Sequence, residues 1–498
     1  MKEKQSASAR AILGLFTAGL VIQAQAGVGI VGGLNPVTDS DFYFDANIPT
    51  VKVELGRLLF FDSILSGNRN ISCATCHHPA LGTSDGVSLT LGEGAVGLGP
   101  ERVVSADQPV LGRVPRNSQA LYFLGARSFE RLFHDGRVEF DPDQTWASGF
   151  WSPAREQLPT GLDNVLAAQA MFPVTSDIEM AGHKGENEIA DAVSVDRLDG
   201  QDGAWNLIAQ RLRAIPEYVD HFRAAFAHVD KPSDIRFVDA ANAIAAFETI
   251  AFRADGSPFD TYLESGDPGV LGARGSRGMA LFYDKARCSN CHSGKFQTDQ
   301  AFHAIAMPQI GPGKNDGLDQ SYWQETGLVA RMEDYGRFRV TRNPEDRYKF
   351  RTPTLRNVEL TGPWGHGGAY DSLEDAVRHH LNAVRSLHDY EPSAATLPPL
   401  PQVIEKTAQG SQLVYQPVNP ARLDDYHQRD GWVQSQPGLR QNIAAANELE
   451  PSRLSDEEVT DLLAFLKTLT DPSSRDHKDL VPKRVPSNLA VAVTSQAE

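Results

Sequence analysis

The sequence predicts a mainly α fold, made of two tandem domains of one kind with long loops and a large insertion before the last helix. Three observations predict it. Apolar residues recur at helical spacing in one segment after another, while strand-like alternation is scarce. A helical stretch running into Cys-x-x-Cys-His occurs twice, at 53–61 ahead of Cys73 and at 276–283 ahead of Cys288, the mark of an internal duplication. Between them and the last helix, residues 383–450 are rich in Pro, Gln and Ala and too long for an ordinary connection, so that segment is read as either functional or disordered.

The chain has 498 residues, 41% hydrophobic and 22% charged, with a net charge of -17. That length suits two or three cores, and the acidic balance argues against nucleic acid as a partner. Lys2, Lys4 and Arg10 precede an apolar run over 11–22 and then Ala24-Gln25-Ala26. A basic start, a short apolar run and a small-x-small site describe a signal peptide, residues 1–26, cleaved on export to the periplasm. The run is too short for a membrane anchor, which needs about 20 apolar residues. No cysteine follows the site, which excludes a lipoprotein.

Residues 27–50 read as an irregular lead-in and 82–99 as a Gly-rich loop. Helical patterns follow at 161–171, 204–214, 217–228 and 237–252. Asp-Gly-Ser-Pro at 255–258 breaks the pattern, which places the first domain at 27–252 and the second at 253–475. Short helices are expected at 372–380 and 455–469, the latter opening on the capping box Ser455-x-x-Glu458. Residues 476–498 form a polar tail expected to be flexible.

All four cysteines fall in two copies of one motif, Cys73-Ala-Thr-Cys76-His77 and Cys288-Ser-Asn-Cys291-His292. This is the covalent haem c attachment pattern: two thiols add to the porphyrin and the next histidine reaches the iron. Disulfides within each pair, or a shared zinc site, would not need a histidine after each pair. Two haems are expected.

The chain resembles the bacterial di-haem cytochrome c peroxidase superfamily, which includes the di-haem enzyme that matures the quinone cofactor of methylamine dehydrogenase. The resemblance lies in Glu54-Leu-Gly-Arg-Leu-Leu-Phe-Phe-Asp62 through the first motif, then Arg116-Asn117, Phe133-His-Asp-Gly-Arg137 and Glu179-Met180. It continues with Arg277-Gly-Met-Ala-Leu-Phe282, Phe350-Arg-Thr-Pro-Thr-Leu-Arg-Asn357 and Leu360-Thr-Gly-Pro363. It implies two cytochrome c-like haem domains, the first reacting with peroxide and the second relaying electrons. It assigns Glu179 as the acid/base, with Gln169 and Pro173 beside it. It also implies a calcium ion held by Asn117, Thr361 and Pro363, oxygen donors of the kind calcium takes.

The chain departs from the family's pattern in three places. Where many family peroxidases carry a histidine that closes the first iron at rest, this chain has Glu93, so an open site is expected. The family's tryptophan between the haems is His134 here; Trp146 and Trp151, in an extra segment at 139–159, are read as packing residues or a substitute for it. The second axial ligand, methionine or tyrosine in relatives, aligns with His380, next to His379. His380 is expected to ligate the second iron, with His379, Met307 and Met332 as alternatives.

The leading functional reading is reduction of hydrogen peroxide with electrons from a small cytochrome c or cupredoxin. The alternative is a peroxide-driven oxidase that modifies Tyr or Trp of a partner protein. A pure electron carrier is the third reading, and it has no need of Glu179, Gln169 and Pro173.

Overall fold

The computed structural model describes residues 34–105, 108, 110–415 and 428–493. The signal-peptide reading therefore lies outside the described residues. The fold is mainly helical, as expected. Among the described residues, strands are confined to short antiparallel pairs and one three-stranded sheet.

Two helix pairs organise the chain, and they are built alike. In the first, Thr50–Phe61 buries Leu55, Leu58 and Leu59 against Phe237–Ala251. The helices meet at Gly56, where a Cβ would lie 1.8 Å from the Ala243 carbonyl oxygen, so no side chain fits. In the second, Gly272–Tyr283 packs on Asp456–Thr468 through Gly278, where a Cβ would lie 1.9 Å from the Asp461 oxygen. Each pair sets the helix before a Cys-x-x-Cys-His motif against a later helix through a glycine. Each has its own apolar core, one dominated by residues 42–254 and the other by residues 259–469.

Helix limits follow local chemistry. The 161–171 pattern becomes a helix only over Val165–Ala170, because the Asn164 side chain accepts from Ala167 N at 2.9 Å and caps it there. The expected capping box of the last helix is formed by Ser455 and Glu458. The 82–99 loop is largely buried: it threads between elements so closely that a Cβ on Gly92 would sit 1.7 Å from the Ile178 oxygen.

Two segments differ from expectation. The insertion carries structure: helix Ala383–Asp389, the hairpin Gln402–Thr407 with Gly410–Tyr415, and helix Pro437–Ala445. Leu387, Trp432, Val433 and Ile443 from it join Tyr322, Met332 and Tyr348 in a third core, which its Pro and Gln content hid. The tail packs back over its described part, with Val485 buried in the first core and Ser487 Oγ donating to Asp62 at 2.7 Å. In the 139–159 segment, Val138–Phe140 and Phe150–Trp151 form a sheet with Arg131–Leu132; Trp146 and Trp151 are half-buried there.

The two halves are clamped by buried charge. Arg116 pairs with Asp135 at 2.8 Å and with both oxygens of Asp334 at 2.7 and 2.8 Å. Burial alone would raise both carboxyls, but Arg116 holds them well below the usual range. Their contribution to stability is thus present at neutral pH and is lost progressively as pH falls from the ordinary carboxylate range down to those depressed values. Arg116→Leu should cost about 3–5 kcal/mol in urea unfolding, because it strands two buried carboxylates. A loss below 1 kcal/mol would mean that water reaches the clamp.

Candidate haem sites

The first motif starts as a helical turn, Cys73–Cys76, capped by Ser72 and Thr75. His77 ends the turn with its backbone N donating to Cys73 O at 3.0 Å. Its Nδ1 donates to Thr83 O at 3.1 Å, which leaves Nε2 as the ring's lone-pair nitrogen. Burial lowers its pKa, which keeps the ring neutral as an iron ligand requires.

Cys73, Cys76 and His77 share one cavity with Gln169, Pro173 and Glu179. Gln169, Pro173 and Glu179 lie far along the chain from the motif and were matched by resemblance alone; the fold brings them into its cavity. Glu179 sits on a π-helical turn, Asp177–Ala181, in which the Ser176 oxygen accepts from the backbone N of Glu179, Met180 and Ala181 at 3.2, 3.0 and 2.9 Å. Such turns are frequent at functional sites. The turn is braced from behind, since Glu93 N donates to Ile178 O at 2.9 Å. The Glu93 carboxylate is buried, and its Oε1 accepts from Asn68 and Asn70 at 2.9 and 2.7 Å.

The cavity fits a haem: two thiols and an imidazole on one motif, apolar walls including Phe60, Leu121 and Ile244, and the cations Arg137 and Lys314. His134 lines it too, and its Nε2 donates to Asn117 O at 3.1 Å. Burial, with Arg116 nearby, pushes its pKa down to about 3, so it is a neutral ring. Sequence reasoning missed two lining residues. Glu248 is buried on Phe237–Ala251, and burial pushes its pKa up to about 8. Lys314 comes from the other half of the chain; its only sequence signal is the glycine punctuation around it.

In the second motif, His292 Nδ1 donates to Gln297 O at 3.2 Å, repeating the arrangement at His77. His380 interacts electrostatically with His292, and burial together with this neighbour pushes His292 down to about 4. His380 Nδ1 donates to Ala376 O at 2.7 Å, one turn back along helix Leu373–Leu381, leaving Nε2 with its lone pair. His379 is engaged at both nitrogens: Nε2 donates to Ile305 O at 2.9 Å and Nδ1 accepts from the Tyr370 hydroxyl at 2.9 Å. Met307 packs in a core with Leu89, Ile310 and Tyr370, and Met332 packs in the third core. Two thiols and two neutral imidazoles, each with a free Nε2, fit a second haem.

All four cysteines are outside disulfides. Among the described residues, Cys291, Asp299 and His303 form a group of metal-type donors within 4.8 Å of one another. Both His303 nitrogens already face carboxylates, Asp299 at 3.0 Å and Glu448 at 2.9 Å, and Cys291 belongs to the haem motif. Asn117 donates its side-chain amide to Val87 O and Ser88 O at 2.9 and 3.3 Å, so Oδ1 is the side-chain oxygen left for a cation.

A mainly helical protein with two such motifs, one sharing its cavity with a carboxylate and the other within electrostatic reach of a second histidine, belongs to the c-type cytochromes. More narrowly, the chain belongs to the di-haem cytochrome c peroxidase family. The family model described as di-haem cytochrome c peroxidase matches residues 50–267. The chain is 30% identical to cytochrome-c peroxidase IdrP1 of Pseudomonas sp. (strain SCT) over 336 residues, 66% of this chain and 70% of that one. It is likewise 30% identical to the methylamine utilization protein MauG of Methylorubrum extorquens over 331 residues, 66% of this chain and 68% of that one. The crystal structure of a MauG-like protein associated with microbial copper homeostasis shares the fold, with a TM-score of 0.51 at 24% identity, covering 88% of this chain and 94% of that one. Like its relatives named as peroxidases, the protein is an oxidoreductase. Among the described residues no helix is long and apolar enough to cross a membrane.

Proposed function

We propose that the protein reduces hydrogen peroxide to water in the periplasm, taking electrons from a small cytochrome c or cupredoxin. The observation that carries this reading is Glu179 in the cavity of the first Cys-x-x-Cys-His motif. When bound, the two haems supply the redox centres, the first meeting peroxide and the second the electron donor.

The overall change is H2O2 + 2 H+ + 2 e- → 2 H2O, so the protein must move protons between the two oxygens. Glu179 takes a proton from one peroxide oxygen and returns it to the other, which leaves as water. Gln169 and Pro173 flank it and position the peroxide. His77, through the Nε2 left by its bond to Thr83, would hold the iron of the first haem, and His292 with His380 would hold that of the second. A bis-histidine relay has a lower potential than a His/Met pair and so suits a low-potential donor. The two helix pairs are read as two haem domains, with calcium between them at Asn117, Thr361 and Pro363.

A second reading is oxidation of Tyr or Trp on a partner protein, driven by peroxide. It is favoured by histidine rather than methionine as second ligand and by the absence of a histidine at Glu93.

The test starts from the exported protein, expected to begin at Gly27 and to carry two covalent haems by pyridine haemochrome assay. Given a panel of reduced cytochromes and cupredoxins, it should oxidise two one-electron donor molecules per peroxide. Donor oxidation below that ratio, together with modified Tyr or Trp in a co-incubated partner, would favour the second reading.

A further inference from the structure

Lys314 reaches the first cavity from the half of the chain that carries the second motif. It sits in Gly311-Pro-Gly-Lys-Asn-Asp-Gly317. The course of this loop is fixed by backbone contact. Gly311 and Gly313 have φ of 76° and 60°, and Cβ atoms there would lie 2.1 Å from Leu89 Cδ1 and 1.6 Å from Met332 O. Arg339 donates to Lys314 O at 2.5 Å, and Asp316 accepts from Tyr335 N at 2.6 Å. A loop held this tightly places its side chain reproducibly.

The charges around Lys314 are those of Arg137, Arg116, Glu179 and Asp135. Arg116 is already paired with Asp135 and Asp334, and Arg137 meets Asp135 at 3.2 Å. Among the described residues no salt bridge closes on Lys314. Burial and the two arginines lower its pKa to about 8, so it remains a cation at neutral pH.

We infer that Lys314 is a further member of the peroxide site, whose ammonium group stabilises the negative charge created when Glu179 takes a proton from the peroxide. The inference rests on the peroxidase reading. Proton loss from H2O2 to Glu179 leaves HOO-, and an ammonium in a water-poor cavity is placed to hold that charge. When the O–O bond breaks, the proton on Glu179 passes to the departing oxygen, which leaves as water. The oxygen left behind takes two electrons from the reduced donor and two protons from solvent and leaves as the second water, while Lys314 keeps its own proton throughout. The peroxide site is thus completed across the two halves of the chain.

The experiment uses the purified holoprotein in its resting ferric state, titrated optically with azide, an anion, and with imidazole, a neutral ligand. Lys314→Met and Lys314→Gln should weaken azide binding about 10- to 100-fold, the usual worth of a charge-assisted contact. Imidazole binding should be unchanged, and Lys314→Arg should restore azide affinity. A purely structural role would weaken both ligands together. That result, or unchanged azide affinity in Met and Gln variants that retain both haems, would overturn the assignment. A wild-type protein that binds neither ligand would refute the open first site and take the inference with it.

Discussion

Glu179→Gln should lower peroxide turnover by about 10²–10⁴-fold while both haem spectra persist, the range expected for loss of a positioned acid/base. Glutamine keeps the size and hydrogen-bonding capacity of the side chain but cannot take up the proton. The backbone of the turn is fixed by the three bonds to Ser176 O, none of which involves the carboxylate. The fall should therefore be chemical and not a consequence of misfolding. Steady-state turnover with a reduced donor, alongside the optical spectra of both haems, measures it. Unchanged turnover would return Glu179 to the status of a solvated loop carboxylate.

His380→Ala should convert the low-spin signal of the second haem and leave the first haem untouched, as read by electron paramagnetic resonance. The neighbouring variant is the control. His379→Ala should keep the low-spin signal, because both His379 nitrogens serve Ile305 and Tyr370. It should instead lower stability by about 1–3 kcal/mol, the cost of leaving buried polar groups unpaired. A low-spin signal that survives in His380→Ala and disappears in His379→Ala would reverse the two roles.

Much of this architecture was legible in the sequence where local chemistry determines it. The helices at 53–61, 237–252, 276–283 and 455–469 carry long apolar faces and, in the last, a complete cap, and the structure has a helix at each place. The two Cys-x-x-Cys-His motifs were legible because their attachment chemistry is written in adjacent residues, whereas His380 was matched by resemblance alone. The insertion was obscured because its helices are short and its core residues, Trp432 and Ile443 among them, share their core with distant segments such as Tyr322 and Tyr348. The tail packs through remote partners that its sequence does not show: Val485 joins the first core, and Ser487 is held by Asp62, 425 residues away in sequence. Lys314 carries no periodic signal, and only the fold sets it in one cavity with Glu179. The choice between His379 and His380 also lay beyond the sequence, since it depends on what each ring's nitrogens meet.

The central claim is that the first cavity presents peroxide with an open haem and a ready base. Mixing the fully oxidised, as-isolated protein with one equivalent of hydrogen peroxide, without prior reduction, tests it most directly by stopped-flow spectroscopy. The account predicts an immediate change in the absorption of the high-spin haem, slowed in Glu179→Gln. A resting protein with two low-spin haems, unresponsive to peroxide until an electron is added, would contradict it.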